Sequence, residues 1–91
     1  MATVVSSIRV KDYAIWKPVF ESAESLRNRA GITNARVFRS ETDGGDILIM
    51  MDVADETQAR QFLASNELRE AMTSGGVISP PRIGFLNTPG N

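Results

Sequence analysis

Three aromatic side chains recur at helical spacing near the start of the chain: Tyr13, Trp16 and Phe20. Such a stripe either packs a helix on a sheet or lines a pocket between them, where Trp and Tyr add a hydrogen-bond donor to apolar area. Tyr13 is the member that could carry a proton. An unperturbed phenol pKa of about 10 makes it a weak base at neutral pH without help. Core packing and pocket lining both remain open.

The chain contains no His and no Cys. It therefore lacks the commonest general base, the thiolate nucleophile and the usual soft ligands of metals and haem, so no metal site and no cofactor is predicted. Ten basic residues against eleven acidic ones give a net charge of −1. Nucleic-acid partners are not expected, because they normally require a clustered positive excess.

A charged pair is predicted in the central hairpin. If its loop comprises residues 43–45, residues whose numbers sum to 88 face each other, which places Arg36 opposite Asp52 and Arg39 opposite Ile49. The Arg36–Asp52 pair would be a structural or dimer-contact salt bridge, or else a catalytic one. Arg39 would either bind an anion in a pocket or lie near a solvated sheet edge.

The elements that position these groups follow from periodicity and turn chemistry. The pattern predicts strands over residues 3–10, 33–41, 46–53 and 82–86. Pro18 cannot donate a helical hydrogen bond, which predicts a short turn at residues 13–16 and a main helix over residues 18–30, ended by Gly31. Asp55 and Ser65 each resemble an N-cap, so the second helical segment is predicted as two pieces.

The order βαββαβ predicts an α+β, ferredoxin-like fold: a four-stranded antiparallel sheet with helices on one face. One domain spans residues 1–91, with an ordered core over about residues 3–87 and a tail at 88–91. The third strand is apolar on both faces, so a second copy of the chain is expected to cover the face that the helices leave open. Met50 and Met51 are candidates for that interface.

No stretch of the chain is long and apolar enough for a membrane span, and the first residues lack the basic start and apolar core of a secretory signal. A cytoplasmic location and no membrane partner are therefore expected.

Three segments resemble a known group of proteins: VKDYAIWKPVF at residues 10–20, FLASNELREAM at 62–72 and PPRIGFL at 80–86. They are similar to small, often uncharacterised bacterial proteins of the dimeric α+β barrel superfamily, relatives of the antibiotic-biosynthesis monooxygenases. The resemblance covers roughly residues 3–87. It implies that two ferredoxin-like subunits pair their sheets into a barrel and that each subunit keeps a pocket between sheet and helices.

Two hypotheses for function follow. The first is a homodimeric small-molecule-binding or accessory protein with an apolar pocket between the first helix and the sheet, favoured because the chain shows no assembled catalytic set. The second, implied by the resemblance, is a cofactor-independent monooxygenase or isomerase acting on an aromatic or polyketide-like substrate. The pocket candidates are Tyr13, Trp16, Phe20 and Arg39.

Overall fold

A computed structural model describes residues 2–87, which form a layer of helices on one four-stranded sheet. The strands are β1 (Ala2–Arg9), β2 (Ile32–Arg39), β3 (Asp46–Val53) and β4 (Arg82–Asn87). The helices are α1 (Tyr13–Ser22), α2 (Glu24–Arg29), α3 (Glu56–Leu63) and α4 (Asn66–Ser74). The predicted ferredoxin-like order is confirmed, with two helices in each helical segment. The tail predicted at residues 88–91 lies outside the described residues.

The sheet is antiparallel, with the strand order β2-β3-β1-β4. The two central strands, β3 and β1, carry most of the core. Its most completely buried large side chains are Val4, Ile32, Ile47 and Val53. These aliphatic side chains all point from the sheet towards the helices, so the core is a single apolar layer between sheet and helices. No helix within residues 2–87 is long and apolar enough to cross a membrane.

Helix α1 begins earlier than predicted. Asp12 caps it by accepting a hydrogen bond from the backbone N–H of Ala14 at 2.9 Å, and Pro18 lies inside the helix. The predictions of a turn at residues 13–16 and a main helix from Pro18 are therefore wrong. Because Pro18 and Ala14 both lie on the exposed side, water can solvate the carbonyl that Pro18 leaves without a donor. Trp16, 4% exposed, anchors the first turn to the core.

The helical segment instead breaks at Ala23, between α1 and α2. Helix α2 ends before Gly31, whose φ of 75° is a left-handed conformation that glycine adopts without strain. The predicted end of this segment at Gly31 is confirmed.

The hairpin between β2 and β3 has a longer loop than predicted. Arg36 lies opposite Met50 instead of Asp52, a displacement of two residues. Ser40 explains the longer loop, because its backbone N–H donates to the carbonyl oxygen of Asp46 at 2.9 Å and its hydroxyl accepts hydrogen bonds from loop N–H groups. The predicted register is therefore wrong, but over residues 36–39 the even displacement leaves each side chain on its predicted face; the register shifts by one between Thr33 and Arg36.

The two faces of β3 differ in cover. Ile49 and Met51 point towards the helices and are buried, whereas Leu48 and Met50 point the other way. We call this second side of the sheet the open face. Its apolar side chains are Val5, Phe38, Leu48, Met50 and Leu86. Of the two interface candidates, Met51 is 4% exposed and lies under the helices, whereas Met50 lies on the open face.

Candidate functional site

An internal space of about 70 Å³, here called the inner cavity, lies between the helices and the sheet. All four helices and strands β1, β3 and β4 contribute to its wall. Its larger apolar side chains include Trp16, Phe20, Ile49, Met51, Phe62 and Met72. This volume is far below the roughly 300 Å³ of sites for drug-sized ligands, so the space holds a short chain or part of a ring and no larger body.

Two of the three stripe aromatics line this cavity. Trp16 stacks on Phe20, with ring centroids 4.9 Å apart and an interplanar angle of 27°. Gly75, at the end of α4, allows the indole to approach closely, since a Cβ there would lie 3.1 Å from Cδ1 of Trp16. The indole is thereby held between α4 and Phe20, which gives the cavity a firm aromatic wall.

The third aromatic, Tyr13, lies outside the inner cavity. Its ring centroid is 5.8 Å from that of Trp16, and the guanidinium carbon of Arg39 lies 4.0 Å from the centre of the Tyr13 ring. Arg39 also donates from Nε to the carbonyl oxygen of Gly44 at 3.2 Å, and it lies opposite Ile47. Arg39 is therefore held between the hairpin loop and Tyr13, and it does not line the cavity.

Two polar side chains line the inner cavity among the described residues, Ser6 and Arg27. Ser6 lies on the floor, between buried aliphatic residues of β1, and is 7% exposed. The alternation of β1 places this hydroxyl on the buried face, so the sequence pattern contains the signal for it.

Arg27 is a charged residue in an apolar surrounding. It is 7% exposed, its Nη1 donates to the carbonyl oxygen of Phe20 at 2.7 Å, and its guanidinium carbon lies 3.9 Å from the centre of the Phe20 ring. Burial lowers the pKa of Arg27, and the Glu24 carboxylate opposes part of that effect. The aromatic stripe does not single out this residue, although it follows Phe20 by seven positions and so lies on the same helical face.

A second space, here called the outer groove, lies between helices α1 and α2 and strand β2. Its volume is about 480 Å³, and its wall includes Tyr13, Lys17 and Glu24. Phe20 and Arg27 line both the groove and the inner cavity. These two side chains therefore form the partition between a polar, open space and an apolar, internal one.

The Arg36 and Asp52 side chains do meet, but on the open face and away from the inner cavity. Their N···O distance is 3.0 Å, and the contact is diagonal across β2 and β3. The amide of Asn34 donates to the other carboxylate oxygen at 3.0 Å. Asp52 thus accepts from two side chains at an end of the open face.

A second ion-paired cluster lies near the hairpin loop. Arg9 contacts Asp43 and Asp46, each at 2.6 Å. The backbone N–H of Gly45 and the Arg9 guanidinium together hold the pKa of Asp43 below its usual value. This cluster links β1 to the loop. Within residues 2–87, no group of three His, Cys, Asp or Glu side chains converges as a metal site.

The fold is shared by several solved structures. A protein from Bordetella bronchiseptica described as an antibiotic biosynthesis monooxygenase superposes with a TM-score of 0.79 at 18% identity, over 96% of this chain and 95% of that one. SnoaB from Streptomyces nogalater, a cofactor-independent oxygenase, gives 0.76 at 16% identity, over 99% and 94%. The ActVA-Orf6 monooxygenase of Streptomyces coelicolor, in complex with nanaomycin D, gives 0.65 at 23% identity, over 99% and 88%.

No protein-family model and no curated protein matches the sequence. The three-dimensional likeness nevertheless extends over nearly the whole chain, at TM-scores well above those of unrelated folds. It agrees with the resemblance that the sequence segments carry. This chain has the fold of the solved antibiotic biosynthesis monooxygenases.

Proposed function

We propose that this protein is a homodimer that binds a small, largely apolar molecule in the inner cavity. The observation that carries the proposal is the cavity itself, an unfilled space bounded by the side chains of four helices and three strands in a domain of 91 residues. Protein interiors are normally packed without such gaps, so a retained cavity in a small core is a plausible binding site. The cytoplasmic location stays a prediction.

The wall of the cavity favours binding over acid–base chemistry. Its polar side chains, within the described part of the chain, are a hydroxyl from Ser6 and a guanidinium from Arg27. Neither is an effective proton acceptor at neutral pH. Tyr13, the aromatic residue that could exchange a proton, faces the outer groove instead. The residues that line the cavity can shape and orient a ligand better than they can activate one.

The homodimer is supported by the open face. Phe38 is 50% exposed, Leu86 54% and Leu48 38%, and the three lie with Met50 on one side of the sheet. Soluble monomers rarely leave so many large apolar side chains together in water. A second copy, presenting the same face, would bury them and complete the barrel that the fold likeness implies.

A cofactor-independent oxygenase is the alternative, favoured by the two Streptomyces neighbours described as oxygenases. In such a reaction the substrate would supply the electrons. A naphthol, for example, would take one oxygen atom of O₂ into its ring to give a naphthoquinone, while the second oxygen atom and two hydrogens leave as water. A naphthol, like a larger polyketide, would require the helices to move outward, because the inner cavity is about 70 Å³.

Trp16 provides the test, because it is the single tryptophan and it lines the cavity. We expect toluene to change its emission in a saturable way. Ala71 lines the cavity, so Ala71→Leu should occupy the space with its larger side chain and abolish the change in emission. Ala14→Leu, on the exposed side of α1, should preserve the change. Unaltered emission, with no binding by calorimetry, would contradict the binding function.

Turnover is measured separately. Oxygen uptake with a naphthol, above the rate without protein and abolished by Ala71→Leu, would establish the oxygenase alternative. Binding without oxygen uptake would favour the accessory role. The dimer is measured by light scattering, with an expected mass of twice 9.9 kDa; a monomer at micromolar concentration would contradict it.

A further inference from the structure

Arg27 is the feature of the inner cavity that an apolar ligand does not explain. The residue is 7% exposed and its side chain borders both spaces, yet no carboxylate within residues 2–87 lies within ion-pair distance of it. Of its five N–H groups, one donates to an acceptor among the described residues, the carbonyl oxygen of Phe20. Buried cations in proteins are normally paired, so this arrangement leaves hydrogen-bonding capacity for a partner of opposite charge.

The nearby acidic groups do not supply that partner. Glu24, one helical turn before Arg27, stays beyond 4.0 Å, and Glu21 is paired with Lys17 at 3.4 Å. Both glutamates are exposed and line the outer groove, not the inner cavity. Among the described residues, the positive charge of Arg27 is therefore balanced by Glu24, which lies beyond ion-pair distance, and by the face of the Phe20 ring.

We propose that the ligand of the inner cavity is a small aromatic or branched-chain carboxylic acid, bound as its anion, with the carboxylate on Arg27 and the apolar body against Phe20 and Trp16. This inference rests on the proposed binding function and names the chemical class of its ligand.

The geometry suits such an amphiphile. Arg27 borders the inner cavity, so its guanidinium can meet the carboxylate of a ligand whose apolar body lies against Phe20 in that cavity. The guanidinium is planar and can bind a carboxylate through two parallel hydrogen bonds. Folding has already removed most water from Arg27, so binding the anion requires less further desolvation than an exposed arginine would.

The test compares phenylacetate with phenylacetamide, its neutral counterpart of nearly the same shape, by Trp16 emission and by calorimetry. The wild-type protein should bind phenylacetate about tenfold more tightly, the ratio expected for a hydrogen-bonded charge in a buried site. In Arg27→Gln the two affinities should become equal within about twofold. Arg29→Gln is the matched control, since it removes an exposed charge from the same helix and should retain the preference.

Arg27→Lys is a second variant, in case glutamine is not tolerated at a position that holds the Phe20 carbonyl. It keeps the charge without the planar fork, so a reduced but measurable preference for phenylacetate is expected. The comparison of the two ligands on the wild-type protein requires no substitution at all.

Each other outcome overturns the proposal in an identifiable way. Equal wild-type affinities, or a preference that persists in Arg27→Gln, would show that Arg27 is not the anion site, while the binding function would stand. Binding of toluene without binding of either phenylacetate or phenylacetamide would also overturn the proposal of a carboxylic acid ligand. The proposal that the inner cavity binds a small apolar molecule would stand. If none of the three probes binds, both proposals fail.

Discussion

The two faces of the sheet are both apolar, but they differ in what covers them. Met51 and Ile49 lie under the helices and are 4% and 5% exposed, whereas Phe38 and Leu86, on the open face, are 50% and 54% exposed. Within β3 the same contrast separates adjacent residues, since Ile49 belongs to the core and Leu48 to the uncovered surface. The difference teaches that an apolar pattern identifies a face that needs cover, while the positions of the helices decide which face has it.

The largest effect is expected when a charge is placed on the covered face. Met51→Lys would bury an ammonium group in the core, next to the inner cavity, with no carboxylate beside it. We expect a loss of about 4 kcal/mol or more in the free energy of unfolding, most of the stability of a small domain. Urea unfolding followed by circular dichroism measures it. Met51→Leu, similar in volume, should lose less than about 1.5 kcal/mol.

The same charge on the open face should leave the subunit folded. Met50→Lys places its ammonium group in the proposed dimer interface, at a position opposite Val5 on one neighbouring strand and Arg36 on the other. We expect the dimer dissociation constant to rise by about 30-fold or more, as for the loss of a central interface residue, with the helical signal retained. Light scattering over a dilution series measures the constant. An unchanged dimer would show that the two copies meet elsewhere.

The sequence predicts the fold well because alternation and turn residues are local signals. Strand β3 occupies the predicted residues, and an even error in the hairpin register left the two faces intact. The loop is longer than predicted because the Ser40 hydroxyl binds N–H groups of the loop. The Gly-rich turn pattern, from which the loop was predicted, carries no signal for that contact. The start of α1 depended on Trp16, whose burial outweighs the backbone bond that Pro18 removes. Tertiary packing of this kind has no local sequence signature.

The site was predicted in part. Trp16 and Phe20 line the cavity, whereas Tyr13 and Arg39 lie outside it. A helical stripe shows which side chains share a face, but not where along the helix the sheet recedes to leave a space. Arg27 was missed for a different reason: arginine is exposed in most proteins, so a periodic pattern of apolar residues excludes it in advance.

The two faces can also be compared with glycine as a probe. At Gly75, beside the cavity, a methyl group would lie 3.1 Å from Cδ1 of Trp16 and 3.3 Å from the Ala71 carbonyl oxygen. Gly75→Ala should therefore destabilise the protein by about 1 kcal/mol and shift the Trp16 emission. Gly84, which pairs with Val5 on the other face, has no atom within 4 Å of such a methyl.

Gly84→Ala is the matched control for folding. It should leave stability unchanged or raise it by up to about 1 kcal/mol, because alanine reduces the freedom of the unfolded chain. Thermal unfolding of both variants measures the difference in stability. The protein concentration should lie below the dimer dissociation constant, so that the open face is not covered by a second copy. Equal effects of the two substitutions on stability would mean that the Trp16 side chain can move away from the added methyl group at little cost in free energy.

The smallest effect is expected at the polar margin of the open face, where Arg9 holds Asp43. The pKa of Asp43 lies below its ordinary value of 3.8, first because Gly45 N–H donates to its carboxylate and second because of Arg9. A carboxyl whose pKa falls on folding stabilises the native state above its unfolded pKa, and this contribution disappears as the pH falls through the folded value. Asp43→Asn should therefore lower stability slightly at pH 7.

That difference between wild type and Asp43→Asn should stay constant down to about pH 5 and shrink below it, as the wild-type carboxylate becomes protonated. Urea unfolding at a series of pH values measures it, and Glu41→Gln, an exposed carboxylate of the same loop, is the control for net charge. A difference that persists fully at pH 2 would contradict the ionic explanation. The loss of stability would then come from the packing of the Asp43 side chain in the loop and not from its charge. Packing would in that case stabilise the margin of the open face as well as its apolar centre.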